Sequence, residues 1–306
     1  MSRTYDLVHR TTYTYPQEVT DSYGRTVMTP RDLPGQTCVT SHVELDPAPA
    51  DTAVQHDYFG NRTTYYCVTE PHTRLVVTAR STIEVTRPQP DAASLPTVAW
   101  DETAASVQSG SEAAAMSPDA LVALREMVLP SAHVTFVDEV RAWAEPSFAP
   151  GRPLAEVVVD LCHRIRHELT YRTGSTTVTT TQRQLLAQRT GVCQDFAHLM
   201  IAALRLHGVP ARYVSGYLET RPPAGREKLR GADASHAWVS VWVPGAGWVD
   251  ADPTNDQLVD DRYVVLGWGR DYHDVPPLRG VIFTEGSGSK LTVQVDLVPS
   301  GSPAFV

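Results

Sequence analysis

The sequence predicts an α+β protein, because strand-like and helix-like patterns fall in separate stretches of its 306 residues. Residues 4–86 are rich in Thr, Val and Tyr, and alternating runs such as TTYTY and RLVVTARSTIEV are separated by turn residues. From residue 118 the apolar residues recur at helical spacing, and from residue 211 alternating strands return. This order favours helices packed on one face of an antiparallel sheet, beside a strand-rich domain.

The same changes of pattern predict the domain boundaries. We expect an N-terminal antiparallel β-sandwich domain over residues 1–88. A linker follows over residues 89–117, where Pro, Ala and Ser dominate without periodicity. The second domain is then residues 118–306, with helices first and further β-strands at its C-terminal end.

Three helices are predicted in the second domain. Ser117 as N-cap and Pro118 at the first helical position are typical of a helix start. A third helix begins at Cys193 and stops at Gly208. The helix between them has one apolar face, formed by Leu154, Val158, Leu161, Ile165 and Leu169.

Charge and composition argue against several classes of function. A net charge of −9 without any run of Lys or Arg argues against a nucleic-acid partner. The N-terminal residues lack the apolar core of a signal peptide, and no segment has the roughly 20 apolar residues of a membrane span. We therefore expect a cytoplasmic protein with no membrane partner. The four cysteines form no CxxC pair, which disfavours a disulfide scaffold or a metal-binding knuckle.

The stretch GVCQDFAH places Cys193 at the amino-terminal end of the third helix. Unpaired N–H groups and the helix dipole favour the thiolate there, which is the form that attacks carbonyls. The same N–H groups can stabilise an oxyanion on the attacked carbonyl. The alternative is a small buried residue without chemistry, since free cysteines are among the most buried residue types.

A nucleophilic thiol needs a base, and the base needs a partner that orients it. In SHAWVSVWV, strand alternation puts His236 on one face with two tryptophans, where it can line a partly dry groove; the alternative is a structural histidine at the edge of the core. The next strand, GWVDADPTND, follows a Pro-Gly turn and should form a hairpin with the first. Asp250 and Asp252 share the face that can reach the imidazole, and spacing alone leaves both as candidates.

Three motifs in this order resemble the bacterial transglutaminase-like superfamily, which has a papain-like thiol fold: GVCQDFAHLMIAALRLHGVPARYVSGYL, SHAWVSVWVPGAGWVDADPTND and GRDYHDVPPLRGV. Residues 4–86 resemble the β-rich domain that accompanies this group, including HRTTYTYPQEV and DYFGNRTTYY. The resemblance implies Cys193 as nucleophile, His236 as general base and acid, and Asp252 as the residue that orients the imidazole. Residues 118–306 are then the catalytic domain.

The implied triad performs acyl transfer through a Cys193 thioester, on an amide of a peptide or protein and with no cofactor. With water as the second nucleophile the enzyme is a cysteine protease or amidase, which we favour. With an amine as the second nucleophile and a glutamine side chain as substrate, it is a transglutaminase. A hypothesis from a different class is a non-catalytic binding scaffold on the same fold. The sequence carries no signal for a particular oligomeric state.

A second cluster, CHRIRHEL, superficially resembles a metal site. His163 and His167 lie one helical turn apart on the same face, close to Cys162 and Glu168. The segment lacks the glutamate of an HExxH motif, and the two arginines between the histidines would repel a cation. The sequence therefore predicts no metal site.

The second oxyanion donor is left open between four polar residues: Gln188, Gln194, Tyr171 and Tyr213. The stretch GWGRDYHDVPPLRG, which is dense in Gly, Pro, Tyr and charge, is expected to form a long loop near the site.

Overall fold

The computed structural model of the chain describes residues 2–88, 90–111, 116–220 and 235–301. Among these residues the helices are α1 (Trp100–Ser109), α2 (Pro118–Glu126), α3 (Asp138–Ala144), α4 (Leu154–Glu168), α5 (Gln182–Gln188) and α6 (Cys193–Leu206). The strands are β1 (Arg3–Thr26), β2 (Gln36–Asp46), β3 (Asp51–His56), β4 (Arg62–Val68), β5 (His72–Val85), β6 (Thr170–Tyr171), β7 (Thr190–Gly191), β8 (Ala211–Leu218), β9 (Ser235–Val243), β10 (Gly247–Asp252), β11 (Gln257–Leu258), β12 (Tyr263–Gly269), β13 (Leu278–Thr284) and β14 (Lys290–Pro299).

Seven strands form one antiparallel sheet around the long strand β1. The first half of β1 lies between β5 and β14, and its second half pairs with β4 and β13. The register shifts between Thr14 and Val19, where an irregularity of this kind bends a strand. The strand-rich N-terminal domain is as predicted, but β1 joins what would be the two layers of a sandwich into one hydrogen-bonded sheet.

The last two strands of the second domain also belong to this sheet. Strand β14 pairs with β1 from Tyr5↔Pro299 to Thr14↔Lys290, and β13 pairs with the far end of β1. The sequence places both strands in residues 118–306 by chain position alone, because pairing between distant segments leaves no local pattern. The N-terminal sheet is therefore completed by the C-terminal end of the described chain.

The segment expected as a linker contains a helix, α1. The indole of Trp100, the first residue of α1, packs edge-on against Phe148 and donates a hydrogen bond of 2.9 Å to the carbonyl of Ala149. Thr103 and Val107 are its buried residues. The sequence of α1 shows no apolar periodicity, because one of its two buried residues is a threonine.

The second sheet has the strand order β11-β10-β9-β8-β12 and lies between the helices and the N-terminal sheet. Its helix-facing side includes Ala237, Val239, Val241 and Val243, which pack with α4 and α6 as the alternation in SHAWVSVWV predicts. On its other side Tyr217 and the strand β12 pack against β1, β5 and β14. The predicted β9–β10 hairpin and the predicted apolar face of α4 are both present.

Helix α6 is the most enclosed helix of this core, with every residue from Asp195 to Arg205 buried. One side of α6 packs on β8 and β9, and its opposite side packs on neighbouring helices. Its amino-terminal end is thereby fixed against the second sheet. None of the helices in the described segments combines the length and the apolar character needed to cross a bilayer.

Candidate active site

The amino-terminal end of α6 carries a half-buried thiol. Cys193 is the first helical residue, after Val192 in an extended conformation. The first hydrogen bond along the helix runs from the N–H of Phe196 to the carbonyl of Val192, so the N–H groups of residues 193–195 have no partner within the helix. The predicted position of Cys193 at a helix start is thus what the structure has.

Two local features hold the chain in place just before Cys193. The N–H of Val192 donates to the carboxylate of Asp195 at 2.8 Å, and the hydroxyl of Thr176 donates to the same oxygen at 2.7 Å. A Cβ on Gly191 would lie 2.6 Å from the Cδ1 of Leu185 and 3.1 Å from the Cβ of Asp195, so a larger residue there would have to displace the Leu185 side chain. The sequence GVCQD therefore encodes the entry into the helix as well as the thiol.

His236 lies near the start of β9, and its Nε2 is 2.7 Å from the Oδ2 of Asp252 at the end of β10. The side chain of His236 is 11% exposed and that of Asp252 is fully buried. Because Nε2 is engaged with Asp252, Nδ1 is the nitrogen left for the thiol. Cys193 lines the same cavity as His236, close enough to contribute to the raised pKa of the imidazole.

Three other residues donate hydrogen bonds to Asp252. The hydroxyl of Tyr263 is 2.7 Å away, the side-chain amide of Asn255 is 2.6 Å away, and the backbone N–H groups of Thr254 and Asn255 are 2.8 and 3.3 Å away. Burial alone would raise the pKa of Asp252, but His236 and these donors lower it, so the carboxylate is ionised. The four residues together fix the plane of the carboxylate, and hence the direction of the imidazole.

Burial disfavours a charged imidazole at His236, but three interactions outweigh it. The negative charge of Asp252, the hydrogen bond to it and the interaction with Cys193 raise the pKa of His236 to about 10. His236 is therefore protonated at neutral pH. The positive charge of the imidazolium can stabilise the thiolate that an attack by Cys193 requires.

Asp250, the other carboxylate left open by the sequence, has different partners. It accepts a hydrogen bond of 3.2 Å from the indole of Trp238 and lies in the electrostatic range of Arg212. Its position in the ladder is opposite Ser240, further along β9 from His236. The structure thus brings Cys193, His236 and Asp252 together. Asp250 instead accepts a hydrogen bond that holds the indole of Trp238.

A cavity of about 330 Å³ opens on the thiol and the imidazole. Its polar lining includes the hydroxyls of Thr11, Tyr13, Ser215 and Ser235. Tyr272 and Pro277 also line it, so the loop predicted near the site does lie there over residues 270–277. The two ends of the predicted stretch belong to β12 and β13 instead, and Leu278 of β13 is a further lining residue. The cavity therefore lies between the helix-and-sheet core and the N-terminal sheet.

The N-terminal sheet supplies one wall of this cavity. Along β1, Tyr5 and Leu7 are buried in the core between the sheets, and His9 and Thr11 continue the same row into the cavity. Along β14, Val295 and Leu297 do the same, and their row is continued by Leu291 and Val293. The last two side chains are 52% and 45% exposed, so they form an apolar, open side of the cavity.

Of the four candidates for a second oxyanion donor, Tyr171, Gln194 and Tyr213 line the cavity. The amide of Gln188 instead donates to the carbonyl of Thr190. Sequence reasoning missed Tyr263 and the wall formed by β1 and β14. Asn255, three residues after Asp252, carries a local signal in DPTND, whereas the wall residues are brought to the site by pairing across the whole chain.

Two protein-family models match the chain. Residues 5–84 match the bacterial transglutaminase-like N-terminal region, and residues 138–253 match the transglutaminase-like superfamily. The second match spans Cys193, His236 and Asp252.

Relatives and solved structures agree with these matches. An uncharacterized protein of Mycobacterium tuberculosis is 47% identical over 96% of this chain and 92% of its own length. The protein-glutamine gamma-glutamyltransferase of Pseudomonas aeruginosa is 36% identical over 110 residues, which are 35% of this chain and 16% of that protein. A crystal structure described as "a putative cysteine protease" from Cytophaga hutchinsonii shares the fold, with a TM-score of 0.76, 18% identity, and coverage of 99% of this chain and 92% of that one.

The thiol at a helix start, the hairpin that carries the histidine and carboxylate, and the strand-rich region before them thus agree with two family models in the same order along the chain. The chain belongs to the transglutaminase-like superfamily and carries the bacterial transglutaminase-like N-terminal region ahead of the core.

Proposed function

We propose that this protein is a cysteine hydrolase that cleaves an amide bond of a peptide or protein through a thioester on Cys193. The observation that carries the proposal is the buried His236–Asp252 pair beside a thiol at a helix start. In this arrangement each group has the role that the chemistry requires: nucleophile, proton carrier and orienting carboxylate.

In the first step the Cys193 thiolate attacks the amide carbonyl, and the backbone N–H groups at the start of α6 stabilise the oxyanion. The imidazolium of His236 transfers its proton from Nδ1 to the amide nitrogen. The C–N bond breaks, the amine leaves, and the acyl group remains as a thioester on Cys193. Asp252 keeps the imidazole ring in place and stays ionised.

In the second step water attacks the thioester carbonyl, and the now neutral His236 takes a proton from it. The C–S bond breaks and the acid product leaves. This restores the thiolate and the imidazolium, and the raised pKa of His236 favours the imidazolium at neutral pH.

We take water as the second nucleophile because it needs no binding site of its own to reach the thioester. Leu291 and Val293 offer an apolar contact to the acyl side of a peptide substrate.

A second candidate is amine transfer to a glutamine side chain. The observation that favours it is the 110-residue match to a protein-glutamine gamma-glutamyltransferase. Amine transfer uses the same thioester and the same three residues, so only the acceptor differs.

The test is mass spectrometry of a glutamine-containing peptide library incubated with the protein, with and without a primary amine. Backbone cleavage identifies a protease. A gain of about one mass unit at glutamine identifies a deamidase, and an amine adduct identifies a transglutaminase, each through the chemistry of its acceptor. The proposal expects hydrolysis products even when the amine is present.

Cys193→Ala should abolish every product, while the matched variant Cys38→Ala should retain them, because Cys38 lies in β2 of the N-terminal sheet. Iodoacetamide below one equivalent of thiol should label Cys193 ahead of Cys38, Cys67 and Cys162. Cys162 is buried and its pKa is raised well above the usual value, mainly by burial. Identical peptide profiles for wild type and Cys193→Ala would leave the non-catalytic scaffold as the better account.

A further inference from the structure

A second histidine–carboxylate cluster lies on the protein surface, outside the cavity. In α4 the rings of His163 and His167 are 4.2 Å apart between centroids. Asp256, in the turn after β10, points its Oδ2 at both, 3.0 Å from Nδ1 of His163 and 3.9 Å from Nε2 of His167. One ligand atom from each of the three residues lies within 4.8 Å of the other two. We call these three residues the surface cluster.

Asp256 reaches this position through an unusual backbone conformation. Its φ of 54° lies in the left-handed region, which residues other than glycine rarely adopt. The conformation turns the chain so that the carboxylate lies against α4. The sequence gives no hint of this, because Asp256 is 93 residues away from His163.

The two arginines between the histidines were expected to repel a cation, but in the structure their charges are neutralised or screened. Arg164 donates to Glu168 at 2.8 Å and to Ser147 at 2.9 Å, and its guanidinium lies over the ring of Trp143. Its charge is therefore neutralised on another side of α4. Arg166 is exposed, where water screens its charge.

We propose that the surface cluster is a site for one divalent transition-metal ion of the Zn²⁺ class. Two imidazoles and a carboxylate are ligands that Zn²⁺ accepts, and the exposed side leaves room for water as a fourth ligand. A tetrahedral ion with bonds of about 2.0–2.1 Å needs ligand atoms about 3.3 Å apart. The contacts of 3.0 and 3.9 Å lie on either side of that spacing.

The position of the site gives it a structural consequence. Asp256 ends the turn that begins at Asp252, and Asn255 of the same turn holds the Asp252 carboxylate. A bound ion would connect this turn to α4 through two more ligands. Metal binding is therefore expected to hold the turn more firmly, and this does not depend on the reaction proposed for Cys193.

All proteins in the test are untagged, full-length chains that carry Cys193→Ala, so that the thiol in the cavity does not bind the ion. This Cys193→Ala protein is called the host. Calorimetric titration with Zn²⁺ should show one site. His163→Ala, His167→Ala and Asp256→Asn should each weaken it by at least the roughly 10- to 100-fold that loss of an outer-shell partner costs at metal sites. His56→Ala, an exposed histidine on β3, is the matched control and should leave binding unchanged.

Hydrogen exchange gives a second readout that does not depend on activity. Zn²⁺ should slow exchange of the backbone amides of residues 254–258 in the Cys193→Ala protein, and should not do so when that protein also carries Asp256→Asn. Absence of Zn²⁺ binding, binding that survives all three substitutions, or equal binding of Ca²⁺ would overturn the proposal. Binding without slower exchange would overturn its structural consequence.

Discussion

Two histidine–carboxylate pairs lie at opposite ends of one short turn, and they are nearly alike in geometry. His236 and Asp252 are 2.7 Å apart, and His163 and Asp256 are 3.0 Å apart. They differ in exposure: 11% and 0% for the first pair, against 60% and 25% for the second. A similar contact is thus placed once inside the protein and once on its surface.

The surroundings of such a pair, and not the contact itself, therefore decide what the pair can do. Inside, Tyr263 and Asn255 complete the hydrogen bonds of Asp252, and the charge of the pair is shielded from water. At the surface, water screens the attraction and a dissolved ion can reach all three ligands. The inner pair suits proton transfer, and the outer one suits metal binding.

Removal of the inner histidine should have the strongest effect. His236→Ala deletes the proton carrier and the partner of the thiolate, so the rate of amide cleavage should fall by about 10²- to 10⁴-fold. Initial rates on the peptide identified by mass spectrometry measure this. His56→Ala, on the far edge of the N-terminal sheet, should keep the wild-type rate. Equal rates for both variants would remove His236 from the mechanism.

The next effect is on stability. Asp252→Ala removes the acceptor of Asn255 and leaves the enclosed side chains of His236 and Tyr263 without theirs, so the free energy of unfolding should fall by about 3–5 kcal/mol. Asp256→Ala should cost less than about 1 kcal/mol, because its pair is exposed. Urea denaturation in the presence of EDTA compares the two. Similar losses would contradict the contrast between the pairs.

A smaller effect is the pH dependence of this stability. The pKa of His236 is raised in the folded state to about 10 from 6.5, so its contribution is complete below pH 6.5 and is lost as the pH rises through about 10. The pKa of Asp252 is lowered, so its contribution is present above about pH 3.9 and is lost at lower pH. The difference in unfolding free energy between wild type and His236→Gln should therefore be largest near pH 4–6.5 and should shrink towards pH 10. A difference that grows with pH would reverse the assigned charge states.

The smallest effect is that of salt. The cost of Asp256→Asn, a few tenths of a kcal/mol, should vanish between about 0.05 and 0.5 M NaCl, since exposed pairs are screened. The cost of Asp252→Asn should stay constant over the same range. Parallel urea titrations at the two salt concentrations measure both, and a salt-dependent Asp252→Asn would indicate that water reaches the inner pair.

Local patterns were enough to predict the elements that carry the site. The apolar face of α4 can be predicted because all of its residues pack against one core. The position of Cys193 can be predicted because glycine and polar residues mark a helix start. His236 and the two candidate aspartates follow from strand alternation in a hairpin. The preference for Asp252 over Asp250 rests on the family resemblance. The structure agrees with it in that His236 forms its hydrogen bond with Asp252.

What could not be predicted depends on contacts between distant segments. Tyr263 reaches Asp252 from the far edge strand of the second sheet, and Asp256 reaches α4 through a left-handed residue. Strand β14 looks like any alternating strand until its partner is known. The domain boundaries at residues 88 and 117 remain predictions, because β14 returns to the N-terminal sheet and α1 lies inside the expected linker.

The pairing of β14 with the start of β1 has a consequence for the order in which the protein is completed. Residues of β14 are synthesised after all the other described strands, and Tyr5 must wait for Pro299 before that edge of β1 is paired. Contacts between segments so far apart form late, because closing a long loop costs entropy first. The thiol and its histidine can thus come together before the β14 part of the wall beside them exists, so that the cavity takes its final shape only when β14 has been synthesised.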